Sequence, residues 1–181
     1  MVLELLRHRV GSPISYSSIA GDVGISPNTV KKYISILESL YIVFRVMPHS
    51  RNIARSIRKE PKFYFFDVGL VRGDNGARFE NLTALSLLKH AYLKTDREGL
   101  LYEVRYLRTK EHREIDFCLV MENDILFVLE CKLKAPNISK PLLYLTEKYG
   151  IKGIQLVKDL KRERQIGNIE VRRALPFLKE L

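Results

Sequence analysis

The fold is decided by the stretch Ile125-Leu-Phe-Val-Leu-Glu-Cys-Lys132, an apolar run that ends on a carboxylate and an ammonium group. On an extended strand, residues two apart share a face, so Glu130 and Lys132 point together while Cys131 points away. The preceding run, Arg113-Glu-Ile-Asp-Phe-Cys-Leu-Val120, is interrupted in the same way by Asp116. A charged group is costly to bury without a partner. Two neighbouring strands that each carry a carboxylate therefore predict a site for a divalent metal ion.

Three strand-like runs follow one another with very short links, which predicts an antiparallel meander. They cover residues 100–107, 113–120 and 125–132. A loop over 73–76 leads into a helix over 77–94, which places Glu80 in the first helical turn, where a carboxylate also suits the helix dipole. After the meander, we expect a helix over 139–149, strands over 153–157 and 169–171, and a helix over 174–181.

The first 66 residues carry the pattern of a winged helix-turn-helix. Short helices are expected over 2–10 and 15–22, and Ser26-Pro27 is expected to cap a third helix over 27–39. Apolar stretches over 42–47 and 62–66 would pair as the wing. The predicted fold class is therefore α/β with an α+β mixed sheet, in which a winged helix-turn-helix domain over 1–66 precedes an αβββαβ domain over 67–181.

The chain is strongly basic, with 31 Lys and Arg against 21 Asp and Glu, a formal net charge of +10 and a pI of about 9.6. Basic residues are dense between Arg45 and Lys62, in the loop of the predicted wing. Such a surface attracts polyanions, so we expect DNA as a partner, with helix 27–39 in the major groove and the wing on phosphates. The predicted nucleic-acid contacts are Asn28, Thr29, Lys31, Lys32, Arg51, Arg55, Arg58, Lys59, Arg108 and Lys110. Alternatively, the winged helix serves protein interaction or spaces domains.

Several classes of protein are excluded by missing patterns. No run approaches the ~18 apolar residues of a membrane helix, and the N-terminus lacks the features of a signal peptide. Cys118 and Cys131 match no metal-ligand spacing and are expected to be buried thiols in a reducing compartment, which predicts a cytoplasmic protein. His112 and the other histidines lack zinc-ligand spacing, and no G-x-S-x-G elbow supports a serine nucleophile.

The order helix, three strands, helix, strand resembles the restriction-endonuclease-like superfamily, whose signature is written PD-(D/E)XK. Asp116 matches the strand acid of that signature, Glu130-Cys131-Lys132 matches the E-x-K element, and Glu80 matches the acid on the helix. Ile115 stands where the signature has proline. The resemblance implies that the αβββαβ domain over 67–181 has a restriction-endonuclease-like fold.

Nearly the whole chain is similar to the C-terminal half of prokaryotic AAA-type ATPases. The resemblance is carried by Lys62-Phe-Tyr-Phe-Phe-Asp-Val-Gly-Leu70, Phe79-Glu-Asn81, Leu107-Arg-Thr-Lys110, Glu114-Ile-Asp116 and Leu129-Glu-Cys-Lys132. In those proteins a P-loop ATPase module precedes these parts, whereas this sequence contains no G-x-x-x-x-G-K-[ST] motif. The chain is therefore expected to be a fragment or truncated relative without the motor, with an ATPase module or another protein as a partner. No ATP hydrolysis is assigned to it.

The resemblance implies a site for Mg or Mn that hydrolyses DNA phosphodiesters, with Glu80, Asp116, Glu130 and Lys132 as catalytic residues. Asp116, Glu130 and the backbone carbonyl of Cys131 offer the hard oxygen ligands that these metals prefer. Glu80 would bind the metal through a water molecule or assist in positioning the nucleophile. Lys132 would orient or help deprotonate water and offset charge on the phosphate.

Three functions stay open at this point. The leading hypothesis is a DNA-binding protein with a metal-dependent nuclease-like domain. The first alternative is a non-catalytic DNA- or protein-interaction module of an AAA-type ATPase family protein, in which Glu130 and Lys132 pair with each other. The second is a winged-helix transcription regulator. Glu114 shares the face of Asp116 and is expected to pair with Lys110 or Arg113 rather than bind metal.

Overall fold

The computed structural model describes residues 1–49, 60–108, 113–134 and 137–181. Within these ranges the chain forms a mixed α/β fold with one mixed sheet of eight strands and six α-helices. The described helices include none that is both long and apolar enough to cross a membrane. The finer assignments, a winged helix and a restriction-endonuclease-like domain, stay predictions.

Three helices open the chain: α1 (Val2–His8), α2 (Tyr16–Val23) and α3 (Pro27–Ser39). The predicted cap of α3 is confirmed, because Ser26 Oγ accepts a hydrogen bond from the backbone N–H of Thr29 at 3.1 Å and Pro27 needs no hydrogen-bond partner at the first helical position. The turn between α2 and α3 passes through Gly24, which has a left-handed φ of +74°. The helix–turn–helix order in the sequence is thus present in the structure.

The two strands predicted for the wing pair with each other. They are β1 (Val43–Pro48) and β2 (Lys62–Phe65), antiparallel with Val43 opposite Phe65. β1 also pairs in parallel with β3 (Tyr102–Arg108) through Met47 and Arg105. The hairpin is therefore continuous with the main sheet, and the sheet crosses the predicted boundary after residue 66. The division into two domains stays a prediction.

The long helix starts earlier than predicted. A short 3₁₀ turn (Val68–Leu70) leads into α4 (Asn75–Glu98), because the side chain of Asp74 accepts from the N–H of Ala77 and caps the helix inside the predicted loop. Glu80 consequently lies in the second turn, and no acidic residue occupies the first turn of α4. The predicted role of Glu80 in complementing the helix dipole is wrong.

The predicted antiparallel meander is confirmed by the pairing of β3 with β4 (Glu114–Met121) and of β4 with β5 (Asp124–Lys132). After it come α5 (Lys140–Tyr149), β6 (Gly153–Val157), β7 (Arg164–Ile166), β8 (Ile169–Arg173) and α6 (Ala174–Glu180). The order in the sheet is β2-β1-β3-β4-β5-β6-β8-β7. β7, an exposed strand of three residues, was not predicted from the sequence.

Helices cover both faces of the central strands. Phe117, Leu119 and Leu129 pack in the core cluster that contains the apolar side of α4, whereas Cys118, Val128 and other apolar residues pack with α5 on the opposite face. The pairing of β3 with β4 shifts register between Arg105 and Leu107. Because this irregularity falls opposite the stretch of β4 that holds Asp116, normal alternation of the side chains is interrupted there.

Candidate functional site

Asp116 is tied directly to the Glu130–Lys132 segment. Its Oδ2 accepts a hydrogen bond from the backbone N–H of Cys131 at 2.8 Å. Phe117 is paired with Leu129 in the ladder of β4 and β5, so Asp116 and Glu130 occupy the next positions along these two neighbouring strands. The two carboxylates predicted to hold a metal ion are therefore anchored on adjacent strands at one end of the ladder.

The pKa of Asp116 lies well above its usual range. Burial is the main cause, and the negative charges of Glu80 and Glu130 raise this pKa further, while Lys62 and the N–H of Cys131 lower it. The described salt bridges include none to Asp116. The site thus disfavours the ionised form of Asp116 unless a further positive charge lies beside it.

Glu130 is buried, and only one of its two carboxylate oxygens accepts hydrogen bonds from the described residues. Its Oε1 accepts hydrogen bonds from Lys132 Nζ at 2.8 Å and from Ser139 Oγ at 3.3 Å. Its Oε2 is buried and has no hydrogen-bond partner among the described residues. A buried carboxylate oxygen without a donor is rare and costly in a native fold. This atom therefore lacks the stabilisation that a hydrogen-bond donor or a cation would supply.

A hydrogen-bonded segment supports Glu130. Gln155, fully buried on β6 and paired in register with Glu130, accepts from the N–H of Ser139 at 2.7 Å and donates to the carbonyl of Asn137 at 3.0 Å. The carboxamide of Gln155 thereby fixes the chain just before α5, and with it the hydroxyl group that contacts Glu130.

Glu80 belongs to a second cluster, centred on Lys62. The ammonium group of Lys62 is 1% exposed and lies 2.7 Å from Glu114 Oε1 and 3.8 Å from Glu80 Oε1. Glu80 also accepts a hydrogen bond from Tyr64 Oη at 2.7 Å. Burial alone would lower the pKa of Lys62, but the carboxylates of Glu80, Asp116 and Glu114 together raise it. The protonated form of Lys62 is therefore favoured beside these carboxylates.

The turn after α1 closes over Glu80. Gly11 has a φ of +76°, and a Cβ atom at this position would lie 2.6 Å from Glu80 Oε1. Burial is the main cause of the raised pKa of Glu80, which Lys62 and Tyr64 partly offset. The turn after α1 is thus packed against the acidic site, and the absence of a side chain at residue 11 makes this close approach possible.

The four predicted catalytic residues share one electrostatic neighbourhood but do not form one ligand set. Cys131 packs with the cluster beneath α4, so its neighbours Glu130 and Lys132 face the α5 side of the sheet, while Glu80 lies on α4. Across the described ranges, no group of three or more His, Cys, Asp or Glu side chains is placed to hold a metal ion. The predicted convergence of all four residues is not seen.

The donor set nevertheless suits a Mg or Mn ion held by few protein ligands. Mg²⁺ commonly uses one or two carboxylates and takes its remaining ligands from water and substrate phosphates. The unpartnered Oε2 of Glu130 and the raised pKa of Asp116 are both features that a cation would relieve. Asp116 and Glu130 are therefore the residues that fit such an ion, and a direct bond from Glu80 is not needed.

Some of the residues predicted to contact nucleic acid lie within the ranges that the structure describes, and others lie outside them. Asn28, Lys31 and Lys32 are exposed on α3, whereas Thr29 is half-buried and its hydroxyl is hydrogen-bonded to Ser26. Arg108 is exposed and lies 3.9 Å from Glu114. The remaining predicted contacts lie outside the described residues: Arg51, Arg55, Arg58, Lys59 and Lys110.

Several site residues were missed by sequence analysis: Gly11, Lys62, Tyr64, Ser139 and Gln155. Lys62 was counted as part of the basic wing, although it begins an apolar strand, which is the signal of a buried charge. A single glutamine within the apolar strand Gly153-Ile-Gln-Leu-Val157 is a similar signal. Glu114 does pair with a basic group as expected, but the close partner is Lys62.

Comparison with known proteins places the chain in a family. Residues 75–177 match the family model described as domain of unknown function DUF4143, and residues 1–77 match the one described as domain of unknown function DUF8612. The first match covers more than half of the chain, which therefore belongs to the DUF4143 family. This domain is typically found in proteins associated with AAA ATPases, in agreement with the resemblance seen in the sequence. No curated protein and no solved structure matches the chain.

Proposed function

We propose that this DUF4143 family member binds DNA and that its acidic site hydrolyses phosphodiester bonds with a bound Mg or Mn ion. The observation that carries the proposal is the pair Asp116 and Glu130. They lie on neighbouring strands: Asp116 is partly buried and has a raised pKa, and Glu130 is buried and has an oxygen that no described donor satisfies. Perturbed carboxylates of this kind cluster at functional sites.

Asp116 and Glu130 would hold the cation, and Glu80 would contact it through water. The ion would supply Lewis-acid chemistry, polarising the phosphate and making a bound water more acidic. Lys132 reaches the surface beside Glu130, and the charges of Glu130 and Asp116 raise its pKa despite the opposing effect of burial. Lys132 is therefore protonated near neutral pH. It is suited to donating hydrogen bonds to a phosphate oxygen and offsetting its charge, rather than to removing a proton from water.

The test compares plasmid nicking by the wild-type chain and by Asp116→Asn in the presence of Mn²⁺. Asparagine keeps the shape of the side chain and can still accept from the N–H of Cys131, but it loses the charge that holds the cation. We expect nicking to fall by about 100-fold or more, at least as large as the effect of losing an outer partner of a metal ligand.

The matched control is Asp124→Asn, which removes an exposed carboxylate from the start of β5 and should leave nicking unchanged. Equal nicking by the wild-type and Asp116→Asn proteins would contradict the proposal, because the activity would then come from elsewhere.

A second candidate function is a non-catalytic interaction module of an AAA ATPase-associated protein. It is favoured by the way in which the chain neutralises its own acids, since Lys62 pairs with Glu80 and Glu114 and Lys132 pairs with Glu130. Such pairs can be kept for structure alone. DNA binding without cleavage on plasmid, single-stranded and branched substrates would favour this candidate.

A further inference from the structure

An apolar groove of about 390 Å³ lies between α1 and α3, apart from the acidic site. Its lining includes Val2 and Leu3 from α1, Ile25 from the turn after α2, and Tyr33, Ile36 and Leu37 from α3. No charged side chain is among its lining residues. The groove is within the size range of sites that accept bulky side chains of a ligand or partner.

The rim of the groove is an exposed apolar stripe on α3. Tyr33 is 49% exposed, Ile36 is 43% exposed and Leu40 is 62% exposed. Their spacing of three and four residues places them side by side along one flank of the helix. An exposed patch of large apolar side chains beside a groove is typical of an interaction site.

The three N-terminal helices, α1 to α3, carry positive charges that no described acidic residue balances. Each described acid of the first three helices forms an ion pair with an arginine, in the pairs Glu4–Arg7, Asp22–Arg9 and Glu38–Arg45. Lys31 and Lys32, both exposed on α3, have no carboxylate partner among the described residues. Lys32 stands one helical turn before Ile36 and next to Tyr33, at the rim of the groove.

We infer that this groove docks an amphipathic helix of a partner protein, a helix that carries bulky apolar side chains along one face and acidic side chains beside them. A groove walled by two helices suits the apolar face of a third, with anchors three and four residues apart. Lys32 selects for acidic residues next to these anchors. DNA fits this flank less well. Phosphate groups offer no apolar surface, so they would leave Tyr33, Ile36 and Leu40 in contact with water.

The test is a selection from a displayed library of helical peptides, with the full chain as bait and no bias toward any charge. We expect the enriched peptides to share large apolar residues at helical spacing and an excess of Asp and Glu. One enriched peptide is then synthesised with a fluorescent label, and its affinity is measured by anisotropy against the wild-type chain and its variants.

Tyr33→Asp and Ile36→Asp should each weaken binding of the labelled peptide by about tenfold or more, since a charge would be forced against apolar anchors. The matched control is Tyr92→Asp, which changes an exposed tyrosine on α4 and should not affect binding. Circular dichroism and unfolding midpoints show whether each variant is folded. Because Tyr33 and Ile36 are exposed, both variants should fold normally.

Lys32→Glu provides a charge-reversal test. This variant should bind the acidic peptide about tenfold more weakly than the wild-type chain does. A peptide whose acidic residues are changed to lysine should bind this variant better than it binds the wild-type chain. Enriched peptides without an acidic excess, or with affinity unchanged by Ile36→Asp, would overturn the inference. It would also be overturned if Ile36→Asp dissolved a dimer of this chain, or if it abolished DNA binding while no helix was enriched.

Discussion

Lys62 Nζ lies 2.7 Å from Glu114 Oε1, so the ammonium group at the start of β2 is tied to the first residue of β4. The same ammonium group lies 5.1 Å from the ring centroid of Tyr106 on β3, one of the two strands between β2 and β4. Lys62 also pairs with Glu80 of α4. One buried cation therefore joins the hairpin, the central strands and the long helix around the candidate site.

Lys62→Met should lower the free energy of unfolding by about 3 kcal/mol, because it leaves two partly buried carboxylates without their cation. Methionine keeps much of the length of the apolar stem, so the loss would come mainly from charge. Chemical denaturation at neutral pH measures the effect. Lys94→Met is the matched control, since Lys94 forms an exposed pair with Glu98 on α4 and should change stability by less than about 0.5 kcal/mol.

The double variant Lys62→Met/Glu114→Gln separates charge from packing. If the unpaired carboxylate causes the loss, removing the charge of Glu114 should restore a large part of the stability that Lys62→Met removes. Simple addition of the two single effects would contradict this account and assign the loss to packing around Tyr106.

Asp116→Asn should stabilise the protein at neutral pH. Burial, Glu80 and Glu130 raise the pKa of Asp116 in the fold, so the folded chain binds this proton more tightly than the unfolded chain does. Ionisation of Asp116 therefore removes stability as the pH rises from the ordinary aspartate pKa of about 4 through the raised value. We therefore expect Asp116→Asn to unfold at a higher denaturant concentration than the wild-type protein at pH 7.5.

The pH dependence of this gain is the specific signature. Below pH ~4 the carboxyl group of Asp116 is protonated in both the folded and the unfolded chain. Its ionisation should then contribute nothing to the difference in the free energy of unfolding between the wild-type and Asp116→Asn proteins. Denaturation curves at several pH values measure the difference. A gain that is equal at pH 3.5 and pH 7.5 would mean that the charge of Asp116 is not its cause.

Gly11→Ala should disturb Glu80 directly. The added Cβ would lie 2.6 Å from Glu80 Oε1, and the φ of +76° is unfavourable for alanine. Gly24→Ala is the matched control, because Gly24 has a φ of +74° but open space around its Cβ position. We expect both variants to lose about 1 kcal/mol from backbone strain and Gly11→Ala to lose more.

The excess loss in Gly11→Ala should disappear in a Glu80→Ala background, where the carboxylate that the methyl group meets is absent. Unfolding measurements on the wild-type protein, the two single variants and the double variant would test this coupling. An equal loss for Gly11→Ala and Gly24→Ala would mean that Glu80 moves aside freely, and that the turn after α1 does not position it.

Much of the fold was predictable because its elements carry local signals. The apolar run over 125–132 and the short link at Glu122 indicated the meander, and Ser26 with Pro27 indicated the start of α3. The β7 strand escaped because Arg164-Gln-Ile166 has no apolar alternation, and it is a strand because it pairs with β8. The local sequence carries no signal that identifies a partner strand.

The candidate site was predictable only in part, for a similar reason. The choice of Asp116, Glu130 and Lys132 follows from charges on apolar strands. The role of Lys62 depends on the order β2-β1-β3-β4 and on the contact with α4, which bring Glu80 and Glu114 to it. The register shift in β4 and the contact between Gly11 and Glu80 are likewise products of tertiary packing, and each affects the acidic residues that the sequence had already singled out.

Metal binding should be visible as a stability change. At a Mn²⁺ concentration ten times its Kd, a site formed only in the folded chain should stabilise the protein by about 1.4 kcal/mol, which corresponds to a rise of a few degrees in Tm. Chelation with EDTA should reverse the rise. Asp116→Asn should abolish it and Asp124→Asn should preserve it. A rise shared equally by both variants would assign the effect to nonspecific binding.

Contact between α3 and DNA should appear in the salt dependence of affinity. If Lys31 and Lys32 contact phosphates, the slope of log K against log salt concentration should become less steep by about one for each lysine changed to alanine, with the loss uniform across sequences. Anisotropy titrations of labelled duplex at several salt concentrations measure the slope, with Lys89→Ala on α4 as an exposed control. Slopes unchanged in both α3 variants would remove this helix from the nucleic-acid interface and leave its exposed face free for a protein partner.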